Sequence, residues 1–333
     1  MAVTLKDVAQ AANLSVASVS RILTNRGRYS ENTAKRVRQL AQEMGYFKNQ
    51  SAADLASKTS RAVGVVVPLI HTTFGDEVIK GLYEATMSSG YELLITYIDD
   101  DEKHQTQVFN TLLTRQVGAV FLLSLDIPEW LMNQLAAENV TVISLTTILN
   151  DRISAVTSNE FTMMDTLVDY LTKKGHTNIA LIGDTKLTTN ISSVRRRNFI
   201  ESMKQHQLTI ENAFFYGEDH SYETGYRSVT EGYDIDALPF TAVIATADLV
   251  GIGLVNALTD ANKNVPKDLS ITTIDGMKLT EISRPGLTTI QQNFTEIGRI
   301  AMNLFIENNI DKQQKIIYVP TKLVERESVA TIK

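Results

Sequence analysis

Residues 4–23 read TLKDVAQAANLSVASVSRIL, and their pattern predicts how the N-terminal part of the chain folds. Thr4 is a residue type that caps helices, and apolar residues follow it at positions 5, 8, 9 and 12, the spacing of one helix face. Asn13 tolerates a left-handed turn, and Ser15 then caps a second helix whose inward side carries Val19 and Ile22. The pattern predicts two short helices joined by a tight turn.

The second helix has an outer face suited to nucleic acid. At about 100° per residue, Ala17 and Arg21 point away from Val19, so a small residue and then an arginine are presented outward. Such a face fits the major groove of DNA. A third helix is expected to begin after Ser30 and to end at Gly45. Three short helices with a tight turn between the first two predict an all-α helix-turn-helix domain.

The charge distribution divides the chain in the same place. Residues 1–60 contain nine Lys or Arg and four Asp or Glu, whereas the remainder contains 23 basic and 34 acidic residues. A basic head on an acidic body indicates that only the head binds a polyanion. The length of 333 residues is about two domains' worth of chain, at roughly 150 residues per domain.

The motif V-A-x-x-A-x-x-S-x-x-[ST]-V-S-R within residues 8–21, followed by EMGYFKN and AADLA, resembles the DNA-binding head of the LacI/GalR family of bacterial repressors. The resemblance implies that Val16, Ala17 and Arg21 contact base edges. It also implies a helix-turn-helix domain over residues 1–48 and a hinge helix with linker over 49–60. The implied phosphate contacts, made through hydroxyls and helix N-termini, are Thr4, Ser15, Ser18, Ser20, Thr24, Ser30 and Thr33.

The hinge segment NQSAADLA occupies residues 49–56, and an eight-residue helix is marginal in isolation. The resemblance implies that it folds on operator DNA and pairs with its copy in a dimer, with Asn49, Ala52 and Leu55 at the DNA. Leu55 would wedge between base pairs in the minor groove. Two departures from the family pattern, Lys48 for a proline and the acidic Asp54, affect the details of these contacts.

From residue 61 onward, short apolar runs alternate with helical stretches. This alternation predicts buried parallel strands in two doubly wound α/β lobes, with a ligand site outside the carboxyl ends of the strands. The late segments LTTIQQN and YVPTKLVERES would supply strands that cross between the lobes. The predicted strands are VGVVV (63–67), ELLITY (92–97), AVFLL (119–123), VTVIS (140–144), IALIG (179–183), AFFYG (213–217), AVIAT (242–246) and SITTI (270–274).

The body is also similar to the family's periplasmic-binding-protein-like core, which implies an effector-binding and dimerisation core over residues 61–333. The N-lobe would comprise about 61–159 and 292–319, and the C-lobe about 160–291 and 320–333. The implied effector residues are His71, Thr72, Phe74, Ser124, Thr146, Arg195, His220, Asp275 and Phe294.

Two of these positions carry most of the implied ligand chemistry. Arg195 would bind sugar hydroxyls or a carboxylate, and Asp275 would accept hydroxyl hydrogen bonds, unless the two form a structural ion pair between the lobes. Asp248 is interpreted as a helix N-cap and not as a ligand contact. Where many sugar-binding relatives carry Asp-Arg, this chain has Thr146-Thr147, and it has Ala247 in place of an asparagine, so the identity of the effector is not transferable.

The remaining function classes lack a supporting pattern. The sequence contains no cysteine, no H-E-x-x-H and no G-x-S-x-G, which argues against a metal site, a cofactor or an enzyme. The charged N-terminus and the lack of a long apolar run predict a cytoplasmic protein, associated with the nucleoid when operator-bound. We therefore expect a homodimeric operator-binding repressor controlled by a small carbohydrate-like effector. Two alternatives are a pure ligand-binding protein and a global regulator controlled by a phosphoprotein partner.

Overall fold

The computed structural model describes residues 3–25, 27–46, 61–69, 73–99, 101–185, 190–307 and 314–332. The chain divides into two compact units, residues 1–60 and residues 61–333. No helix in these described ranges combines the length and the apolar character needed to cross a membrane.

The head contains three helices around a small core of its own. Asn13 ends the first helix in the left-handed conformation, with φ 54° and ψ 46°, and so makes the predicted tight turn. Val8, Val19 and Val37, one from each helix, are completely buried against one another. The helices are α1 (Leu5–Ala12), α2 (Val16–Leu23) and α3 (Glu31–Glu43).

The N-lobe is a six-stranded parallel sheet flanked by helices. Its strand order is β11-β5-β4-β3-β1-β2, and the strands near the middle are buried because helices cover both faces. Its elements are β1 (Ala62–Pro68), α4 (Gly75–Ser89), β2 (Glu92–Ile98), α5 (Glu102–Thr114), β3 (Ala119–Leu123), α6 (Glu129–Ala137), β4 (Thr141–Leu145), β5 (Ser154–Thr157), α12 (Phe294–Ile306) and β11 (Ile316–Tyr318).

The C-lobe repeats this architecture with the order β12-β10-β9-β8-β6-β7, in which only β12 runs antiparallel to its neighbour. A short 3₁₀ helix precedes β7, and a π-helical turn follows α9. Its elements are α7 (Glu160–Lys173), β6 (Ile179–Ile182), α8 (Asn190–Gln205), β7 (Phe215–Tyr216), α9 (Tyr222–Arg227), β8 (Ala242–Ala245), α10 (Asp248–Asp260), β9 (Ser270–Asp275), α11 (Lys278–Ile282), β10 (Thr288–Gln291) and β12 (Lys322–Val324).

The chain passes between the lobes three times, after β5, after β10 and after β11. Helix α12 follows the second crossing and packs on α4 so closely that glycine is required at the contact. A Cβ on Gly81 would lie 1.9 Å from the carbonyl oxygen of Thr295, and one on Gly298 would lie 2.1 Å from that of Val78. This packing fixes α12 in the N-lobe, although the strand before it belongs to the C-lobe.

The structure corrects four details of the sequence-based prediction. The segment predicted as a strand over 213–217 forms only the two-residue β7. The strand predicted at 140–144 is displaced by one residue, and the four-residue β5 was not predicted. The late segments are members of the two sheets, and the crossings themselves are the connections between them.

Candidate functional site

The outer face of α2 presents the residues predicted to contact bases. Val16, Ala17 and Arg21 are all exposed, whereas Val19 on the opposite side is completely buried. The Arg21 Nε donates a hydrogen bond to the Ala17 carbonyl oxygen at 3.3 Å, so the guanidinium lies along the helix surface. The outer face of α2 therefore exposes a valine, an alanine and an arginine to solvent.

The predicted phosphate-binding hydroxyls lie at helix ends. Thr4 forms a capping box with Asp7 at the start of α1. Ser15 caps α2 by accepting a hydrogen bond from the backbone N–H of Ser18, and the two hydroxyls lie 2.8 Å apart. These caps leave other N–H groups of the first helical turn directed at solvent, where an anion can approach.

The third helix repeats this arrangement. Ser30 accepts a hydrogen bond from the backbone N–H of Thr33, with their hydroxyl oxygens 2.7 Å apart. Thr24 differs, because its hydroxyl donates to the carbonyl oxygen of Ser20 at 2.7 Å within α2. The side chain of Ser20 is itself half-buried. The hinge residues Asn49, Ala52 and Leu55 lie outside the described residues, as do His71 and Thr72 in the core.

In the core, the carboxyl ends of β3 and β4 bring two predicted effector residues together. Ser124 and Thr146 follow these strands with φ values of 48° and 68°, and their hydroxyl oxygens lie 2.5 Å apart. Non-glycine residues rarely adopt a positive φ, and such strain is typical of sites where side chains must be directed at a ligand.

Two aromatic rings form an apolar wall at the crossing into α12. Phe74 and Phe294 stack with ring centroids 4.5 Å apart and an interplanar angle of 12°. Met277, in the loop after β9 of the C-lobe, packs against the same N-lobe cluster of buried residues. The aromatic pair therefore lies where the two lobes are in contact.

Arg195 on α8 forms the main charged contact of the site. Its Nε and Nη2 donate to the two carboxylate oxygens of Glu160 at 3.0 and 3.2 Å, and its Nη1 donates to the carbonyl oxygen of Thr246 at 2.6 Å. Burial opposes the charge, but the carboxylates of Glu160 and Asp275 outweigh it and raise the pKa of Arg195. Arg195 and Asp275 both belong to the C-lobe, so the ion pair between the lobes that the sequence left open is not formed, and Arg195 pairs with Glu160 of the same lobe.

Asp275 ends β9 in a strained conformation with φ 109° and is 4% exposed. The side-chain amide of Gln292 donates to its carboxylate at 2.9 Å from the second crossing. Burial raises the pKa of Asp275 to about 8, although the Arg195 charge opposes this shift. Gln292 therefore joins the crossing segment to a carboxyl group that resists ionisation.

His220 belongs to the same group of contacts as Arg195, because both side chains are bonded to Thr246. Its Nδ1 lies 3.0 Å from the Thr246 hydroxyl, and its Nε2 lies 3.7 Å from a carboxylate oxygen of the buried Asp184. Removal from water and the nearby Arg195 charge lower the pKa of His220, although a third of the side chain is exposed. The neutral ring can donate and accept one hydrogen bond.

Asp248 is not the N-cap that the sequence suggested. It is the first residue of α10, and the capping position is Ala247, which makes no side-chain cap. The completely buried carboxylate instead accepts hydrogen bonds from the Thr273 hydroxyl and the Met277 backbone N–H, each at 2.7 Å. Asp248 thereby fixes the loop that carries Asp275.

The sequence reasoning missed several groups that complete this cluster. Glu160 and Thr246 hold Arg195, and Gln292 and Asp184 contact the other two polar side chains. Asp184 follows a predicted strand, Thr246 ends one and Gln292 lies in a predicted crossing segment, which is the signal that could have identified these three, whereas Glu160 follows the unpredicted β5. Their partners, however, are far away in the sequence.

Comparison with known proteins tests the assignment of both units. Residues 4–49 match the model for bacterial regulatory proteins of the lacI family, and residues 168–329 match that for a periplasmic binding protein-like domain. A LacI family transcriptional regulator, CCPA, from Weissella paramesenteroides is 66% identical in sequence. Its structure covers 82% of this chain, the match spans all of that chain, and the TM-score is 0.79. The chain belongs to the LacI family of transcriptional regulators.

Other LacI family members match over almost the whole chain. Catabolite control protein A from Priestia megaterium is 27% identical over 332 residues, covering 98% of this chain and 99% of the relative. The lac repressor dimer bound to operator is 20% identical with a TM-score of 0.85, covering 99% of this chain and all of that one, which shows the shared fold. The chain is therefore a LacI-type regulator with a DNA-binding head and a two-lobed core, as the sequence predicted.

Proposed function

We propose that this LacI family regulator is a homodimeric operator-binding repressor whose operator affinity is set by a sugar bound between its lobes. The observation that carries the proposal is the buried cluster of Arg195 and Asp275 at the carboxyl ends of the C-lobe strands, facing the crossing segments. Such a cluster gives hydroxyl groups both donors and acceptors. Binding rather than catalysis is proposed, with the protein in the cytoplasm and on the nucleoid.

The proposed DNA contacts begin with α2 in the major groove. Val16 and Ala17 would pack on base edges, and Arg21 would release its bond to the Ala17 carbonyl oxygen to reach a base. The cap hydroxyls and helix N-termini would hold phosphates on either side, with Thr24 contributing least because its hydroxyl is already bonded within α2. We assign the minor-groove contacts to the hinge, Asn49, Ala52 and Leu55.

The proposed effector is a mono- or disaccharide. Structures of the 66%-identical regulator from Weissella paramesenteroides carry bound sucrose and bound glucose. In this chain the half-buried Phe74, stacked on the buried Phe294, offers an apolar ring to a sugar, and His220 offers a second ring from the C-lobe. Arg195 and Asp275 would bind the ring hydroxyls. The other proposed contacts are His71, Thr72, Ser124 and Thr146.

The geometry of Arg195 supports this role. Three of its five N–H groups are already bonded, two to Glu160 and one to Thr246. The remaining two are held in a fixed plane, so a sugar would not have to order the side chain. A pre-oriented donor costs less conformational entropy on binding than a mobile one.

The proposed dimer surface lies on the N-lobe. Tyr83 and Met87, four residues apart on α4, are 54% and 67% exposed, and Ile95 and Tyr97 on the edge strand β2 are 47% and 56% exposed. Leu69, which follows β1, is 61% exposed. Large apolar side chains concentrated on one helix and one adjoining strand favour burial against a second copy.

The decisive experiment measures linkage between the two sites. Isothermal titration of glucose and of sucrose into the full chain, with and without a near-palindromic operator duplex, should give two different sugar affinities. We expect operator to weaken sugar binding, corresponding to an inducer, with a coupling of about 1–3 kcal/mol. A preceding thermal-shift screen would choose the sugar, since a ligand at 100 times its Kd stabilises by about 2.7 kcal/mol.

Two results would count against this proposal. Equal sugar affinities with and without operator would show that the cleft does not control the head. Absence of binding by any sugar, combined with operator binding that depends on a phosphoprotein, would establish the partner-controlled alternative instead.

A further inference from the structure

Three polar side chains hold the loop between α2 and α3 of the head, and none of them is among the proposed DNA contacts. Arg38, on α3, donates from its Nη2 to the Oδ1 of Asn25, 13 positions earlier in the chain, at 2.6 Å. The hydroxyl of Tyr29 donates to the same oxygen at 3.4 Å. We call Asn25, Tyr29 and Arg38 the loop clamp.

The loop clamp fixes one conformation of the loop. Asn25 has a left-handed backbone with φ 54°, which asparagine tolerates, and its amide oxygen uses both of its acceptor sites. Tyr29 packs against the buried core of the head, and Arg38 follows the completely buried Val37 on α3. A short hydrogen bond from a charged donor is of the stronger kind. The loop is therefore fastened to α3 and to the core at the same time.

The clamped loop lies beside the arginine proposed to contact a base. Gly27 in this loop has φ +88°, and a Cβ placed on it would lie 3.4 Å from the Cδ of Arg21, an ordinary van der Waals separation. On its own helix, Arg21 donates from Nε to the Ala17 carbonyl oxygen at 3.3 Å. The side chain of Arg21 thus lies along α2 and next to the loop backbone.

This placement affects how Arg21 distinguishes bases. An arginine loses side-chain conformational entropy when it is fixed on a base edge. A loop held beside the stem of Arg21 limits its rotamers before DNA binds, so less entropy is lost on binding. The saving applies only to complexes in which Arg21 contacts its base. It therefore raises affinity for the cognate operator and leaves affinity for random DNA unchanged.

We propose that Arg38 is a positioning residue for base recognition. Acting through Asn25, it holds the loop beside which Arg21 is ordered, and so increases discrimination at the base pair that Arg21 contacts. In this role Arg38 itself touches neither a base nor a phosphate. The inference rests on the proposed function, because it takes Arg21 as the base contact.

The test compares the Kd of full-length variants for an operator, selected by the wild type from random duplexes, with their Kd for the same operator carrying one changed base pair. Arg21→Ala first identifies the base pair at which discrimination is lost. Asn25→Gly, which still allows the left-handed turn, and Arg38→Met should each lower discrimination at that base pair about threefold or more. Discrimination at the other base pairs should be unchanged. The double variant should lose no more than either single variant, because both remove the same bond.

Two controls separate this effect from a loss of folding or of charge. Asn25 and Arg38 are both exposed, so the variants should remain folded, and binding to random DNA in the same assay verifies this. Lys35→Met removes another exposed cation of α3 and should leave discrimination at the Arg21 base pair as in the wild type.

Two results would overturn the proposal. In the first, Arg38→Met weakens binding to operator and random DNA by the same factor and lowers the salt slope by about one, while Asn25→Gly behaves as wild type; Arg38 is then a phosphate contact. In the second, both variants keep wild-type discrimination at the Arg21 base pair. Failure of the proposed function differs from both, because Arg21→Ala would then leave discrimination unchanged at every base pair, and the inference would fall with it.

Discussion

Replacing Arg195 by alanine is expected to cost the core about 3–5 kcal/mol of unfolding free energy. Arg195 and Glu160 have side chains that are 5% and 15% exposed, and the guanidinium donates a hydrogen bond to each carboxylate oxygen of Glu160 in place of water. Removing one partner of a buried ion pair leaves the other charge without compensation, which is the origin of this magnitude. The lost bond to the carbonyl oxygen of Thr246 adds about 1 kcal/mol.

The double variant Arg195→Met, Glu160→Gln separates stability from effector response. It removes both charges while filling most of the volume, so most of the lost stability should return, as for other buried pairs replaced by uncharged side chains. Sugar binding should not return, because the two N–H groups assigned to the sugar are absent. The double variant should therefore bind operator in the absence of sugar and fail to release it when sugar is added.

The coupling free energy between the two residues is measured by urea unfolding of the wild type, Arg195→Met, Glu160→Gln and the double variant. Operator titrations with and without sugar measure the effector response. Two results would refute the reasoning. An unchanged urea midpoint for Arg195→Ala would show that the ion pair contributes nothing. A sugar response of wild-type size in the double variant would show that Arg195 does not bind the effector.

Three further predictions concern the head, the hinge and the pH response. Arg21→Ala should lose about 1–3 kcal/mol of binding at the cognate operator and almost nothing on random DNA, measured by salt-matched titrations; equal losses would make Arg21 a phosphate contact. Leu55→Ala should reduce DNA bending, measured by fluorescence resonance energy transfer across the operator, without altering sugar affinity. Unchanged bending would show that Leu55 does not insert between base pairs. The pKa of Asp275 is raised to about 8 in the folded protein, so the folded state keeps a proton that the unfolded state releases near pH 4. The contribution of Asp275 to stability therefore falls as the pH rises from 4 to 8. Asp275→Asn should therefore gain stability relative to wild type between pH 5 and pH 8.5 in urea unfolding of the sugar-free protein; a constant difference would contradict the raised pKa.

The head could be predicted almost completely because its determinants are local. Thr4, Ser15 and Ser30 cap the three helices, and Asn13 makes the left-handed turn between the first two. Each of these effects depends on residues within four positions along the chain. The choice between DNA bases and phosphates as partners of Val16, Ala17 and Arg21 remains a prediction.

The core was predictable at the level of its strands, since continuous apolar runs of β-branched residues mark buried parallel strands. The short strand β5 was not predicted, because its sequence SAVT is only four residues long and has polar residues at both ends. Its assignment as a strand comes from pairing with β4 on one side and with β11, about 160 residues later, on the other. A local pattern does not contain this pairing.

Local sequence is enough to specify the three-helix head, the alternation of strands and helices in the core, and the positions along the chain at which polar residues follow strands. Which of those polar residues bond to one another depends on the folded arrangement of the elements. Arg195 and Asp275 are 80 positions apart, and whether they pair depends on how α7 and α8 bring Glu160 to the guanidinium first. Asp248 was likewise predicted as a helix cap, but its carboxylate holds the loop after β9. Its partners, the Thr273 hydroxyl and the Met277 N–H, lie within hydrogen-bond distance only after the sheet has formed. Hydrogen bonds and ion pairs act over about 3–4 Å, a separation that folding sets and that spacing along the chain does not.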